Sequence, residues 1–166
     1  MRFFSVIFII WLILPSSSLG SDIQKGLEAY LRGSVAYKKG DYKTALKEWT
    51  PLAEQGNEYA QHSLGEMYFI GIGVLYDSKV AATWHKLAAE QGFAPSQLKL
   101  SKLYSSGAGV IFSPELAHMW ANIATSNGDK DSRKFMDYLS KRMSENQLEK
   151  ALDLARECVD KNYIGC

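Results

Sequence analysis

Apolar residues recur along this chain at helical spacing, in short blocks that stop at glycines. Ala60, Leu64 and Tyr68 stand four apart, which is one face of a helix. Gly65, between two of them, leaves room for a second backbone to come close. The pattern breaks at Ile70-Gly71-Ile72-Gly73-Val74, where two glycines one residue apart permit positive φ. Asp77 or Ser78 can then cap a second helix through the free N–H groups at its start. That helix carries Ala81, Trp84, Leu87 and Ala88 on its buried face and stops at Gly92. Residues 57–92 therefore read as a hairpin of two helices.

The hairpin returns 36 positions later. Gln61, Leu64 and Tyr68 fall on Gln97, Leu100 and Tyr104. Gly71, Gly73 and Val74 fall on Gly107, Gly109 and Val110; Ala81, Trp84, Ala88 and Gly92 fall on Ala117, Trp120, Ala124 and Gly128. In this copy Ser113 is the cap and Pro114 takes the first helical position, where a missing N–H costs nothing. A fixed period in this range signals a solenoid, in which each unit buries its apolar face by stacking on its neighbours.

The flanks follow the same rhythm less strictly. Asp22 to Lys39 reads as a helix with Ile23, Leu27, Tyr30, Leu31, Val35 and Ala36 as its apolar residues. After a sharp turn at Gly40-Asp41, Tyr42 to Gln55 reads as its partner, with Ala45, Leu46, Trp49, Leu52 and Ala53. Pro51 should bend this helix or mark its last turns. Beyond Gly128, Asp131 to Met143 reads as a helix with Phe135, Met136 and Leu139. Ser144 and Gln147 form a capping box for a partner helix, Gln147 to Lys161, with Leu148, Ala151, Leu152, Leu154 and Ala155. The last pair lacks the Trp and the glycine loop, as expected of a terminal unit with one face in water. The expected fold is all-α: one domain over residues 21–166, in units 22–56, 57–92, 93–128 and 129–161, with a tail at 158–166.

Ala60 to Val74 resembles A-x-x-x-L-G-x-x-Y-x-x-G-x-G-V, the first half of the Sel-one-like repeat (SLR), a relative of the tetratricopeptide repeat. Lys79 to Gly92 resembles its second half, with Ala89 displaced by one. The third unit departs at Ser96 and Ser101, where the pattern has Ala and Gly, but Ser is still small. The first pair resembles the family's opening unit and is one residue shorter between Trp49 and Gln55-Gly56. The resemblance implies an α-solenoid, a right-handed superhelix of about four antiparallel helix pairs, acting as a bacterial adaptor or scaffold. First helices would line the concave face. Tyr59, His62, Glu66 and Phe69 lie there at intervals of three and four, with Pro95, Leu98, Lys102 and Ser105 as their equivalents. Family positions of this kind meet partner peptides, so Tyr59, His62, Glu66, Phe69, Leu98 and Lys102 are the candidate binding residues. A mixed aromatic, acidic and basic surface suits a protein segment better than a polyanion.

The start of the chain changes the picture. Arg2, an apolar run from Phe3 to Leu14, then Pro15 and Ser18-Leu19-Gly20 read as a secretory leader over residues 1–20. The alternative is a retained anchor, but the run is short of the roughly 20 apolar residues that span a bilayer. No Cys follows the cleavage point, which argues against a lipid anchor. The protein is expected to be exported, to the periplasm or outside the cell, with no stable membrane anchor after cleavage. Net charge is +1 and Arg2 is the only charge in the first twenty residues, so residues 21–166 are neutral. Nucleic acid is not an expected partner, because phosphate binding needs a basic face.

In an exported protein the even pair Cys158 and Cys166 favours a disulfide. Two free thiols are the alternative. A metal site is less favoured, as no His or further Cys lies near them in sequence. Asn162 and Gly165 suit the turn the bridge would need, and the spacing is similar to bridges in cysteine-rich members of the repeat family.

No catalytic motif is present: no G-x-S-x-G, H-E-x-x-H, phosphate loop or C-x-x-C. Gly71-Ile72-Gly73 and Gly107-Ala108-Gly109 lie between helices, with no strand before them, and read as turns. His62, His85 and His118 fall at different phases of the repeat and read as surface or rim residues. Trp49, Trp84 and Trp120 share one repeat position and read as core. The expected function is therefore non-enzymatic binding of a protein or peptide, with no cofactor, no metal and no catalytic residue. The alternative is penicillin binding or β-lactam hydrolysis, as associated with cysteine-rich relatives. Ser132-Arg133-Lys134 and Ser140-Lys141-Arg142 miss the Ser-x-x-Lys spacing that chemistry uses.

Overall fold

The computed structural model of the protein describes residues 16–166, and the first fifteen residues of the expected leader lie outside them. The described chain is helical throughout, with no strand: α1 (Ser16–Lys38), α2 (Tyr42–Glu54), α3 (Glu58–Ile70), α4 (Ser78–Ala89), α5 (Ala94–Ser106), α6 (Pro114–Ser126), α7 (Lys130–Ser140) and α8 (Glu145–Asp160). No described helix is long and apolar enough to cross a membrane.

The helix starts lie where polar caps stand. Asp41, Asn57, Asp77, Ser113 and Asp129 each accept from backbone N–H groups of the first turn. Ser144 and Gln147 close the capping box reciprocally. Pro51 sits inside the last turn of α2 without ending it. Consecutive helices pack on one another from α1 through α7, and α6 also takes α8. α8 thus packs chiefly on α6 and not on α7, the partner expected from its place in the chain.

The second glycine of each interhelix loop has a steric reason. A Cβ on Gly73 would run into Tyr42, the first residue of α2. A Cβ on Gly109 would run into the backbone of Ser78, the first residue of α4. Each loop therefore seats on the preceding hairpin, and both glycines also take positive φ, 72° and 75°.

A polar junction repeats with the same period. Gln61 is 3% exposed and donates from Nε2 to the carbonyl of Ala53 at 3.0 Å, while its Oε1 accepts from Gln91 at 2.7 Å. Gln97 is fully buried; it donates to the Ala89 carbonyl at 3.1 Å and accepts from Asn127 at 3.0 Å. Ala53 and Ala89 lie at the ends of α2 and α4, where each carbonyl also accepts from the following turn, from the Gly56 and Gly92 N–H at 3.1 and 3.0 Å. One carboxamide thus satisfies the preceding hairpin and clamps its own.

Two cores flank these junctions. Trp49, Leu52, Leu64 and Met67 centre the first, and Leu100, Leu103, Met119, Trp120 and Ile123 the second. Trp84 sits at the repeat position of Trp49 and Trp120 but is only partly buried. Leu87, expected on the buried face of α4, is 40% exposed. The buried stripe there is Ala81, Ala82, His85, Ala88 and Ala89, whose small side chains let neighbouring helices approach. Ile23, Leu27, Leu31 and Val35 form an exposed apolar stripe on α1, because no described helix packs on that side. Exposed apolar pairs also recur at the loop tips, Leu75-Tyr76 and Ile111-Phe112.

Cys158 and Cys166 are disulfide-bonded, and the bridge packs against the second core. Asn162, Tyr163 and Gly165 turn the tail back with positive φ. Tyr163 then donates to Asn127 Oδ1 at 3.2 Å, and the Gly165 N–H donates to Glu90 at 3.1 Å. The tail fastens onto the same junction that Gln97 occupies.

Two expectations follow. Gln97→Met keeps the length of the side chain but removes its hydrogen bonds to the Ala89 carbonyl and the Asn127 amide. It should lower unfolding free energy by about 1–2 kcal/mol in a urea titration, the net worth of two hydrogen bonds. Replacing both cysteines by serine opens a short loop and should cost roughly 2–3 kcal/mol in the same measurement.

Candidate functional site

The face of α3 opposite the first core carries the candidate residues because their spacing follows the helical turn. Tyr59 is 49% exposed and meets Phe93 edge-on, with ring centroids 5.0 Å apart. His62 is partly buried, 5.3 Å from both Phe93 and His85 by ring centroid. Its Nδ1 lies 2.8 Å from Ser96 Oγ. One turn on, Glu66 Oε1 is 2.8 Å from Lys99 Nζ. The same ammonium lies 5.2 Å above the ring of Phe69. Tyr59, His62, Glu66 and Phe69 are therefore brought into one neighbourhood, completed by Phe93, Ser96 and Lys99 across from α3.

The two candidates from α5 are not part of it. Lys102 lies over Phe135 of α7, 5.9 Å from the ring centroid. Leu98 is buried, 9% exposed, and not open to a partner. α5 turns Ser96 and Lys99 toward α3, so Leu98 lies on the packed side. A groove of about 280 Å³ runs between α1 and α3 beside this cluster. Tyr30, Tyr37, Trp49, His62, Glu66 and Ile70 line much of it, with Ser34, Ser63 and Lys38.

The histidines differ from their expected place. His85 is fully buried and His118 is 2% exposed; neither is a surface or rim residue. His62 and His85 converge, although they stand at different repeat phases. Helix pairing across the α3–α4 hairpin brings the phases together. Gly65 makes the room: a Cβ there would stand 2.7 Å from the His85 ring, so the close neighbour is an imidazole and not a backbone. Burial, reinforced by charge on His62 and Lys99, pushes the His85 pKa down to about 3. His85 is therefore neutral, and its 3.4 Å approach to Glu66 is not an ion pair. Burial also lowers His62, against the pull of Glu66. Neither His85 Nε2 nor Glu66 Oε1 has a hydrogen-bond partner of good geometry. One ligand atom from each of His62, Glu66 and His85 lies within 4.8 Å of the others.

Sequence reasoning missed His85, Ser96 and Lys99. The available signal was the His62-x-x-x-Glu66 spacing on one helix face, with Gly65 marking a close approach.

The Sel1 repeat family model matches residues 58–93 and 94–129. Residues 58–129 are two Sel1 repeats. Their helices are α3–α4 and α5–α6. The fold is similar to c5321, a protective antigen present in uropathogenic Escherichia coli strains that displays an SLR fold, with TM-score 0.78 and 24% identity. That match covers 86% of this chain, which spans 32% of the antigen's length. A Sel1 repeat protein from Oxalobacter formigenes is also similar, with TM-score 0.61 and 29% identity over 72% of this chain and 94% of that one. No curated protein sequence matches the chain. Sel1 repeats are in general protein-interaction modules and typically non-enzymatic scaffolds.

His118, on α6 against Ser140 of α7, gives a pH test. Ser140 donates to the Met136 carbonyl at 2.9 Å, so it accepts from His118 Nε2 at 2.9 Å, and His118 is a neutral ring. Burial holds its pKa below the ordinary 6.5. A depressed folded-state value means the unfolded chain takes up the proton first. The stability due to His118 is whole above about pH 6.5 and is lost as pH falls below it. His118→Gln should flatten the decline in Tm between about pH 7 and pH 5 relative to the parent protein.

Proposed function

We propose that this protein is an exported, non-enzymatic interaction module that holds an extended segment of another protein in the α1–α3 groove. The groove carries the reading. Tyr30, Tyr37 and Trp49 offer aromatic walls, with Lys38 and Glu66 of opposite sign among the lining residues. Aromatic side chains bury large area at low entropic cost, and flanking charges orient a peptide. His62 and Glu66 join the groove directly. Tyr59 and Phe69 flank it, while Lys102 would extend the surface toward α7.

Export is supported by the Cys158–Cys166 bridge, since disulfides persist in oxidising compartments. An apolar leader over residues 1–20 would deliver the chain there. Residues 21–166 would then form the mature unit, which binds its partner and does not turn it over. Sel1 repeats as a class favour the same role.

Ser34→Arg places a long cation into the groove from α1, at a partly buried position outside the cores. The partner recovered with the parent protein from its native compartment should be lost by at least about tenfold, equal to 1.4 kcal/mol. Helicity by circular dichroism should not change. A partner retained in full by this variant puts the binding surface elsewhere.

A further inference from the structure

We propose that His62, Glu66 and His85 form a binding site for a divalent transition-metal ion of the zinc class. The donor set fits that chemistry. Two imidazoles and one carboxylate suit zinc, whereas calcium and magnesium prefer oxygen ligands throughout. Two elements supply the ligands: His62 and Glu66 from one face of α3, and His85 from α4. His85 Nε2 and Glu66 Oε1 are 3.4 Å apart. Ligand atoms on one tetrahedral zinc stand about 3.3 Å apart for bonds of about 2.0–2.1 Å. This edge of the coordination sphere is already formed, and all three ligand atoms lie within 4.8 Å of one another.

The site is built and not accidental surface. His85 is fully buried, and its Nε2 points at the carboxylate without a hydrogen bond to it. Glu66 Oε1 has no well-angled hydrogen bond, and its one close cation is Lys99 Nζ at 2.8 Å. A proton on His85 Nδ1 can be donated to Ser96 Oγ, 3.4 Å away. In that tautomer the Nε2 lone pair faces the carboxylate oxygen, and two acceptors confront one another. A cation between them stabilises such a pair, and Lys99 supplies one to the carboxylate when no metal is bound. Ser96, on the outer nitrogens of both rings, orients them in the way supporting hydrogen bonds orient metal ligands.

Lys99 is the competing cation. Its ammonium sits 2.8 Å from Glu66 Oε1 and offsets the carboxylate in the metal-free protein. Its side chain is 24% exposed and lies over Phe69, so it can swing to solvent as the ion enters. Three protein ligands leave a fourth position for water or for a side chain of a bound partner. The inference does not depend on a peptide occupying the groove.

The test uses the purified full chain, stripped with a chelator and titrated with zinc by calorimetry, with cobalt as a spectroscopic stand-in. One equivalent should bind, and cobalt should give the visible absorption of a tetrahedral nitrogen–oxygen site. Glu66→Gln and His62→Ala should each weaken zinc at least about tenfold, the scale seen even for supporting groups. Both leave the buried His85 in place, so folding is preserved. Lys99→Met should bind zinc more tightly than the parent. No binding at millimolar zinc overturns the proposal. So does binding that Glu66→Gln and His62→Ala leave unchanged, or that Lys99→Met weakens.

Discussion

The stack turns on a carboxamide buried at each of its first two junctions between hairpins. A helix end carries carbonyls that its own backbone cannot satisfy. At Ala53 and Ala89 the following turn supplies one donor, the N–H of Gly56 and of Gly92, and a second lone pair of each carbonyl faces the next hairpin. Gln61 and Gln97 answer this by reaching back to Ala53 and Ala89 while their oxygens hold Gln91 and Asn127. Both carboxamides stand at the same position of the repeat, 36 residues apart, and make the same two kinds of bond. Tyr163 extends the network to the tail, so the disulfide-closed end is attached to the Gln97 junction and not merely appended to α8.

Small residues set how closely the hairpins lie. Gly73 and Gly109 seat the loops on the preceding unit, and Gly33 and Gly65 admit rings, Trp49 in one case and His85 in the other. Equivalent places are used for different chemistry. In the first unit the space at Gly33 takes an indole that donates to the Tyr30 carbonyl, 3.2 Å away. In the second unit the space at Gly65 takes an imidazole beside a carboxylate. In the third unit Ser101 occupies the space itself and donates to the Ala117 carbonyl. A repeat scaffold can thus concentrate polar function in one unit without altering the period.

Much of the architecture was legible in the chain. Periodic apolar residues, caps and glycines mark the helices, because those signals act over three or four residues. The capping box at Ser144 and the start at Pro114 were readable for that reason. The histidine cluster was not. His62 and His85 stand 23 residues apart in the chain, and they meet only because α3 and α4 pack at a particular rotation. The same rotation exposes Leu87 and buries His85, one helical step aside from the expected stripe.

What the sequence alone determined is the helical repeat: its period, its boundaries and the positions its core residues occupy. What only the tertiary structure decided is which polar groups face one another: Glu66 with Lys99, His62 with His85 across Ser96, and α8 against α6. The physical reason is range. Propensity, capping and periodicity are local and written in neighbouring residues. The partners of a buried polar side chain depend on crossing angles and ångström-scale separations, which arise only when whole hairpins pack.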